Sequence, residues 1–107
     1  MYFAKKLKIQ YFRGVYMRNQ LPPGGPNVRE TAIVNLDDRN GNGTHWVAYR
    51  KINDEVEYFN SFGDLIPPKD LLSYWNVANI KYNYHRYQDF NSVNCGHLCL
   101  QFLAGAI

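Results

Sequence analysis

Thr31 to Leu36, TAIVNL, is the chain's clearest short apolar β-branched run, and its turn-forming neighbours predict a buried strand. Two further strands are predicted in THWVAYRKIN and EVEYFNSFG, joined at Asn53 and Asp54, which tolerate the left-handed backbone of a tight hairpin. If that turn is two residues long, Ile52 faces Glu55, Asn60 lies opposite Val47, and His45 and Asn60 are diagonal neighbours on one face. A three-residue turn would put them on opposite faces. In PPKDLLSYW the proline at the start, with Leu71, Leu72 and Trp75 on one side, predicts a short amphipathic helix. Ile80 to Gln88 alternates as another strand. From Cys95 onward, Cys95, Leu98, Cys99, Phe102 and Leu103 recur at helical spacing, which predicts a closing helix with its apolar stripe in the core. Strands, helix, strand, helix make an α+β domain, with helices packed on a small sheet that is mostly antiparallel or mixed.

The breaker cluster LPPGGPN, Leu21 to Asn27, divides a basic arm and connecting loop, 1–30, from 31–107, where the sheet and helices lie. At 107 residues the chain holds one core, so a single minimal domain with one site is expected. A hydrophobic fraction of 46%, with nine Tyr and six Phe, describes a packed globular protein. No apolar run approaches the roughly 18 residues that cross a bilayer, and MYFAKKLKIQYF lacks the apolar centre of a signal peptide. The expectation is a soluble intracellular protein without a membrane partner, whose two cysteines stay reduced. Charge is uneven: residues 1–30 hold six basic side chains against Glu30, and the remainder is acidic by two. Lys5, Lys6 and Lys8 in that arm are candidates for contact with a polyanion such as DNA, although solvated lysines serve as well.

Candidate chemistry centres on QDFNSVNCGHLC, Gln88 to Cys99. Cys95 falls at the start of the last helix, where unpaired backbone N–H groups and the dipole favour a thiolate. Asn91 or Ser92 could cap that helix, and Gly96 keeps the approach to sulfur open. Cys99, one turn deeper, is expected to be core. A cysteine nucleophile needs a base, an orienting group for the base, and a donor for the developing oxyanion. One candidate exists for each: His45 beside Trp46, Asn60 on the same sheet face, and Gln88 ahead of the loop that leads to Cys95. Singly, each has an ordinary structural explanation; their joint order is the signal. No metal is expected, because Cys95, His97 and Cys99 stand two apart on a helix and cannot converge on one ion. His85 has no nameable partner.

GTHWVAY, YFNSFGD and QDFNSVNCGHLCLQFL together resemble the adenain family, the adenovirus-type cysteine endopeptidases, and more distantly the proteases of ubiquitin-like modifiers. YFRGVYMRNQLP and AIVNLDD resemble the segment before that family's histidine, so the resemblance spans nearly the whole chain. It implies a papain-like core with Cys95 as nucleophile, His45 as base and then acid, Asn60 orienting His45, Gln88 as oxyanion donor, and Trp46 against substrate. It also implies cleavage of peptide bonds after small residues such as Gly, in viral or transposon precursor proteins of the host nucleus or virion. No cofactor is required; activation by DNA or a peptide is implied.

The sequence departs from the family in three ways. The family usually carries Glu or Asp where Asn60 stands, and Asn can orient the ring but not neutralise an imidazolium; papain-type enzymes use Asn there, and Asp64 is close by. Residues 76–87 contain no Cys to hold the family's disulfide-bonded activating peptide. Adenovirus enzymes are markedly longer, so 107 residues make little more than a catalytic core, whose uncovered apolar surface a partner or a second copy would cover. The alternatives are a non-catalytic DNA or capsid binding module on the same fold, and an isopeptidase acting on ubiquitin-like modifiers.

Overall fold

The structure is a computed structural model that describes residues 9–36, 45–60, 63, 66–83 and 95–105, and of residues 95–97 the backbone alone. Five strands form one sheet in chain order: β1 (Phe12–Met17), β2 (Arg29–Asn35), β3 (Trp46–Ile52), β4 (Glu55–Phe59) and β5 (Asn79–Tyr82). β1 runs parallel to β2, β2–β3–β4 are antiparallel, and β5 runs parallel to β4. The sheet is therefore mixed, and with helices α1 (Lys69–Trp75) and α2 (Cys95–Leu103) it gives the expected α+β fold.

The hairpin turn is two residues long, since Ile52 pairs with Glu55 and Ala48 with Phe59. Only Asn53 takes the left-handed conformation, with φ 53°. β2 is buried on both faces because a helix covers each side. On one face Ala32, Val34, Val47, Tyr49, Val56 and Tyr58 pack with Leu71 and Trp75 of α1. The Trp75 ring stands edge-on to Tyr49 and Tyr58, at centroid distances of 5.0 and 5.9 Å. On the other face Ile33, Ala48 and Phe59 pack with Cys99, Leu100, Phe102 and Leu103 of α2. Cys99 is thus core, as its place on the stripe predicts.

Leu72, placed by its spacing on the apolar side of α1, is exposed. On this seven-residue helix the i, i+4 pair Leu71 and Trp75 is buried against the sheet, with Tyr74 beside them, and Leu72 is turned by about 100° from Leu71. The helix begins after Pro68 and ends at Asn76, which is left-handed at φ 47° and donates its N–H to the Leu72 carbonyl.

Within the stretch expected to be arm and connecting loop, Phe12–Met17 is a sheet-edge strand. Its mixed apolar and basic pattern hides this, because an edge strand is only half covered and its register slips at one residue. Phe12 pairs with Thr31 but Gly14 with Ala32, which leaves Arg13 as the extra residue of a bulge. The bulged Arg13 reaches the Gly25 carbonyl, the Glu30 carboxylate and the Tyr74 hydroxyl at 2.6, 2.9 and 2.9 Å. Glu30, almost fully buried, also accepts from the Tyr49 and Tyr74 hydroxyls and the Asn27 N–H. One carboxylate so joins β1, β2, β3, α1 and the LPPGGPN loop, and a second basic side chain of this stretch, Arg18, stands 3.5 Å from Asp70. Lys5, Lys6 and Lys8 lie outside the described residues. No helix among those residues is long and apolar enough to cross a membrane.

Candidate active site

His45 and Asn60 meet at one end of the sheet. Because β3 and β4 are antiparallel, the residue before β3 and the residue after β4 stand at the same edge, on the face that carries Val47. The His45 Nε2 is 3.0 Å from the Asn60 Oδ1. With Oδ1 accepting, Nε2 carries the proton and the lone pair falls to Nδ1, the nitrogen that can act as base. Burial lowers the proton affinity of the ring below the ordinary histidine range, and the bond to Asn60 opposes this in part.

Backbone bonds hold both residues in place. The His45 carbonyl accepts from the Leu36 N–H at 2.9 Å, which carries the β2–β3 ladder one step past Trp46. Asn60, only 2% exposed, is held at both ends of its peptide by Asn83, the residue just past β5. Its N–H donates to Asn83 Oδ1 at 2.9 Å, and its carbonyl accepts from Asn83 Nδ2 at 2.7 Å. That carbonyl also accepts from the Gly63 N–H at 2.8 Å. Gly63 sits at φ 74°, a conformation that glycine alone adopts without strain, so the turn after β4 needs the Gly of SFG.

α2 begins with Cys95. Its direction follows from its contacts: Arg50, late in β3, donates to the Phe102 carbonyl at 2.9 Å, and the guanidinium lies 4.8 Å from the Phe102 ring centre. Trp46, at the start of β3, packs against the cluster of Cys99. The helix therefore runs along β3 in the same sense, and its amino terminus, the positive end of its dipole, opens toward the edge of His45 and Asn60. The side chains of Cys95 and His97 lie outside the described residues, as do Gln88, Asp64, Asn91, Ser92 and His85. Trp46 and His45 alternate across the sheet, so the Trp46 ring belongs to the α2 face and the imidazole to the other.

The chain resembles a solved structure, the ASFV pS273R protease, with a TM-score of 0.57 and 18% sequence identity over 98% of this chain and 53% of that one. The likeness is one of fold. The chain spans about half the length of that protease. A selenomethionine form of the same protease matches at a TM-score of 0.48 and 23% identity, over 76% of this chain and 35% of that one. No protein-family model matches the sequence. No curated protein matches it either.

Asn83 and Leu36 escaped the sequence analysis. Leu36 acts only through its N–H, which carries no sequence signal. Asn83 falls on a polar position of the alternating IKYNYHRYQ, so the pattern does not distinguish it.

Proposed function

We propose that this chain is the catalytic core of a cysteine endopeptidase, with Cys95 as nucleophile, His45 as base and Asn60 as the residue that orients it. The observation that carries the proposal is the 3.0 Å contact between His45 Nε2 and Asn60 Oδ1, at the edge toward which the Cys95-led helix runs. In this reading Nδ1 takes the thiol proton, the thiolate attacks the scissile carbonyl, and the imidazolium returns the proton to the leaving amine. The helix amino terminus favours the thiolate, and Gln88 joins the Cys95 N–H in binding the oxyanion. Fold likeness to a protease supports the reaction class. The resemblance to adenovirus-type endopeptidases supplies the substrate class, viral or transposon precursors cut after small residues such as Gly, with Trp46 against the substrate.

The test is alkylation and peptide-aldehyde binding at neutral pH in the wild type, Cys95→Ala and His45→Ala, with cleavage of Gly-containing peptides beside them. Labelling of Cys95 well ahead of Cys99, slowed in His45→Ala, is the expected result. Cys95 reactivity equal to that of an ordinary free thiol and indifferent to His45 would sink the proposal.

A further inference from the structure

We infer that Asn83 is a positioning residue of the site: its side-chain amide stands in for the next peptide of β5 and holds the Asn60 backbone so that Oδ1 stays on His45. The inference rests on the reading of His45 and Asn60 as catalytic partners.

The register explains why a side chain is needed. β4 and β5 are parallel, and their last pair is Tyr58 with Tyr82. Asn60 lies two residues past that pair, beyond the reach of the backbone ladder. A carboxamide has the same donor and acceptor pair as a peptide group, and Asn83 presents both to one residue, accepting from the Asn60 N–H and donating to the Asn60 carbonyl. A two-point contact fixes orientation where a single bond would leave a hinge. With Gly63 donating to that carbonyl as well, both backbone polar groups of Asn60 are bonded, and its side-chain Oδ1 stands on His45. Burial makes the clamp strong, since Asn60 is 2% exposed and a released peptide group would lack water.

The experiment compares wild type, Asn83→Ala, Asn83→Ser, Asn60→Ala and the Asn60→Ala/Asn83→Ala double variant by two readouts. In the first, the His45 Nε2–H proton is followed by NMR. Its bond to Asn60 slows exchange with water, so its signal should broaden or vanish in Asn60→Ala and in Asn83→Ala, where thermal unfolding still shows a folded protein. In the second, peptide cleavage should lose roughly ten- to hundredfold in kcat with little change in KM in Asn83→Ala, as expected for a misplaced catalytic group. The double variant should then be no worse than Asn60→Ala alone. Asn83→Ser, whose hydroxyl makes at most one of the two bonds, should fall between Ala and wild type.

A His45 signal unchanged in Asn83→Ala but lost in Asn60→Ala would overturn the inference, as would losses that add in the double variant. Unfolding of both Asn83 variants would overturn it too, because the clamp would then belong to the fold and not to the site. A wild type that shows the NMR pattern but cleaves nothing would refute the protease reading and leave the clamp standing.

Discussion

Half-buried at the end of its strand, the His45 imidazole is kept below the ordinary histidine range chiefly by burial, with the Asn60 bond pulling the other way. In the unfolded chain the ring binds its proton near pH 6.5, and in the folded chain only at lower pH. Between those two points the unfolded state holds more protons, so stability falls as pH falls. Urea midpoints should therefore drop on acidification from about pH 8 to about pH 5.5, and His45→Gln should remove that part of the slope. Changing the partner moves the ring in known directions. Asn60→Ala deletes the bond that raises its proton affinity, so the midpoint of an NMR titration of His45 should move lower still. Asn60→Asp places a carboxylate against the ring, so the midpoint should move up and carry the acid limb of any activity profile with it.

Glu30 makes the second argument at this scale. A carboxylate 1% exposed is tolerable only because Arg13, two tyrosine hydroxyls and a backbone N–H surround it. Its presence and their burial push the Tyr74 hydroxyl up to about 12, with burial the larger cause. Glu30→Ala leaves the buried Tyr49 hydroxyl and the Asn27 N–H without their acceptor and the Arg13 guanidinium without its counter-ion, and should cost about 2 to 4 kcal/mol in chemical denaturation. A loss below about 1 kcal/mol would show that water replaces the carboxylate.

Elements respond to the backbone conformations their ends require. Asn53 holds φ 53° in the β3–β4 turn, so Asn53→Ala should cost roughly 1 to 2 kcal/mol while Asn53→Gly should come close to wild type, as read by thermal unfolding. The register of this hairpin matters beyond stability, because a one-residue slip would move Asn60 to the face opposite His45. In α2 the Phe102 ring stacks on Phe59 at 4.9 Å and lies under Arg50. Phe102→Ala should cost about 3 to 5 kcal/mol, and the cavity it leaves would loosen the helix that starts at Cys95. Cys99 on the same helix is fully buried, so alkylators should reach it only after unfolding.

In the basic first third Arg13 is spent inside the fold, Arg18 stands beside Asp70 and Arg29 lies over the Tyr11 ring; Lys5, Lys6 and Lys8 are the cationic group proposed to meet a polyanion. If Lys5, Lys6 and Lys8 contact duplex DNA, replacing all three by Ala should lessen the slope of log affinity against log salt by roughly 2 to 3. Binding that keeps its slope would refute the proposal. The sheet order brings residues 45, 60 and 83 to one edge because β3 and β4 are antiparallel while β4 and β5 are parallel. The amino terminus of α2 faces that edge because the contact of Arg50 with the Phe102 carbonyl sets the helix direction.

Local pattern was enough to read much of this. The apolar runs of β2, β3 and β4, a turn at Asn53, the helix starts at Pro68 and near Cys95, and the burial of Cys99 all follow from propensity and periodicity. The diagonal meeting of His45 and Asn60 followed only on condition of a two-residue turn, and it is the pairing of Ile52 with Glu55 that meets the condition. What local pattern could not carry was anything decided by partners distant in sequence. Phe12–Met17 is a strand because β2 offers a parallel edge and Glu30 draws in Arg13; its own residues read as an arm. Leu72 is exposed because the side of the helix that meets the sheet is the one carrying Leu71, Tyr74 and Trp75. Asn83 bonds Asn60 because two parallel strands end side by side, and no spacing in the sequence records that neighbourhood.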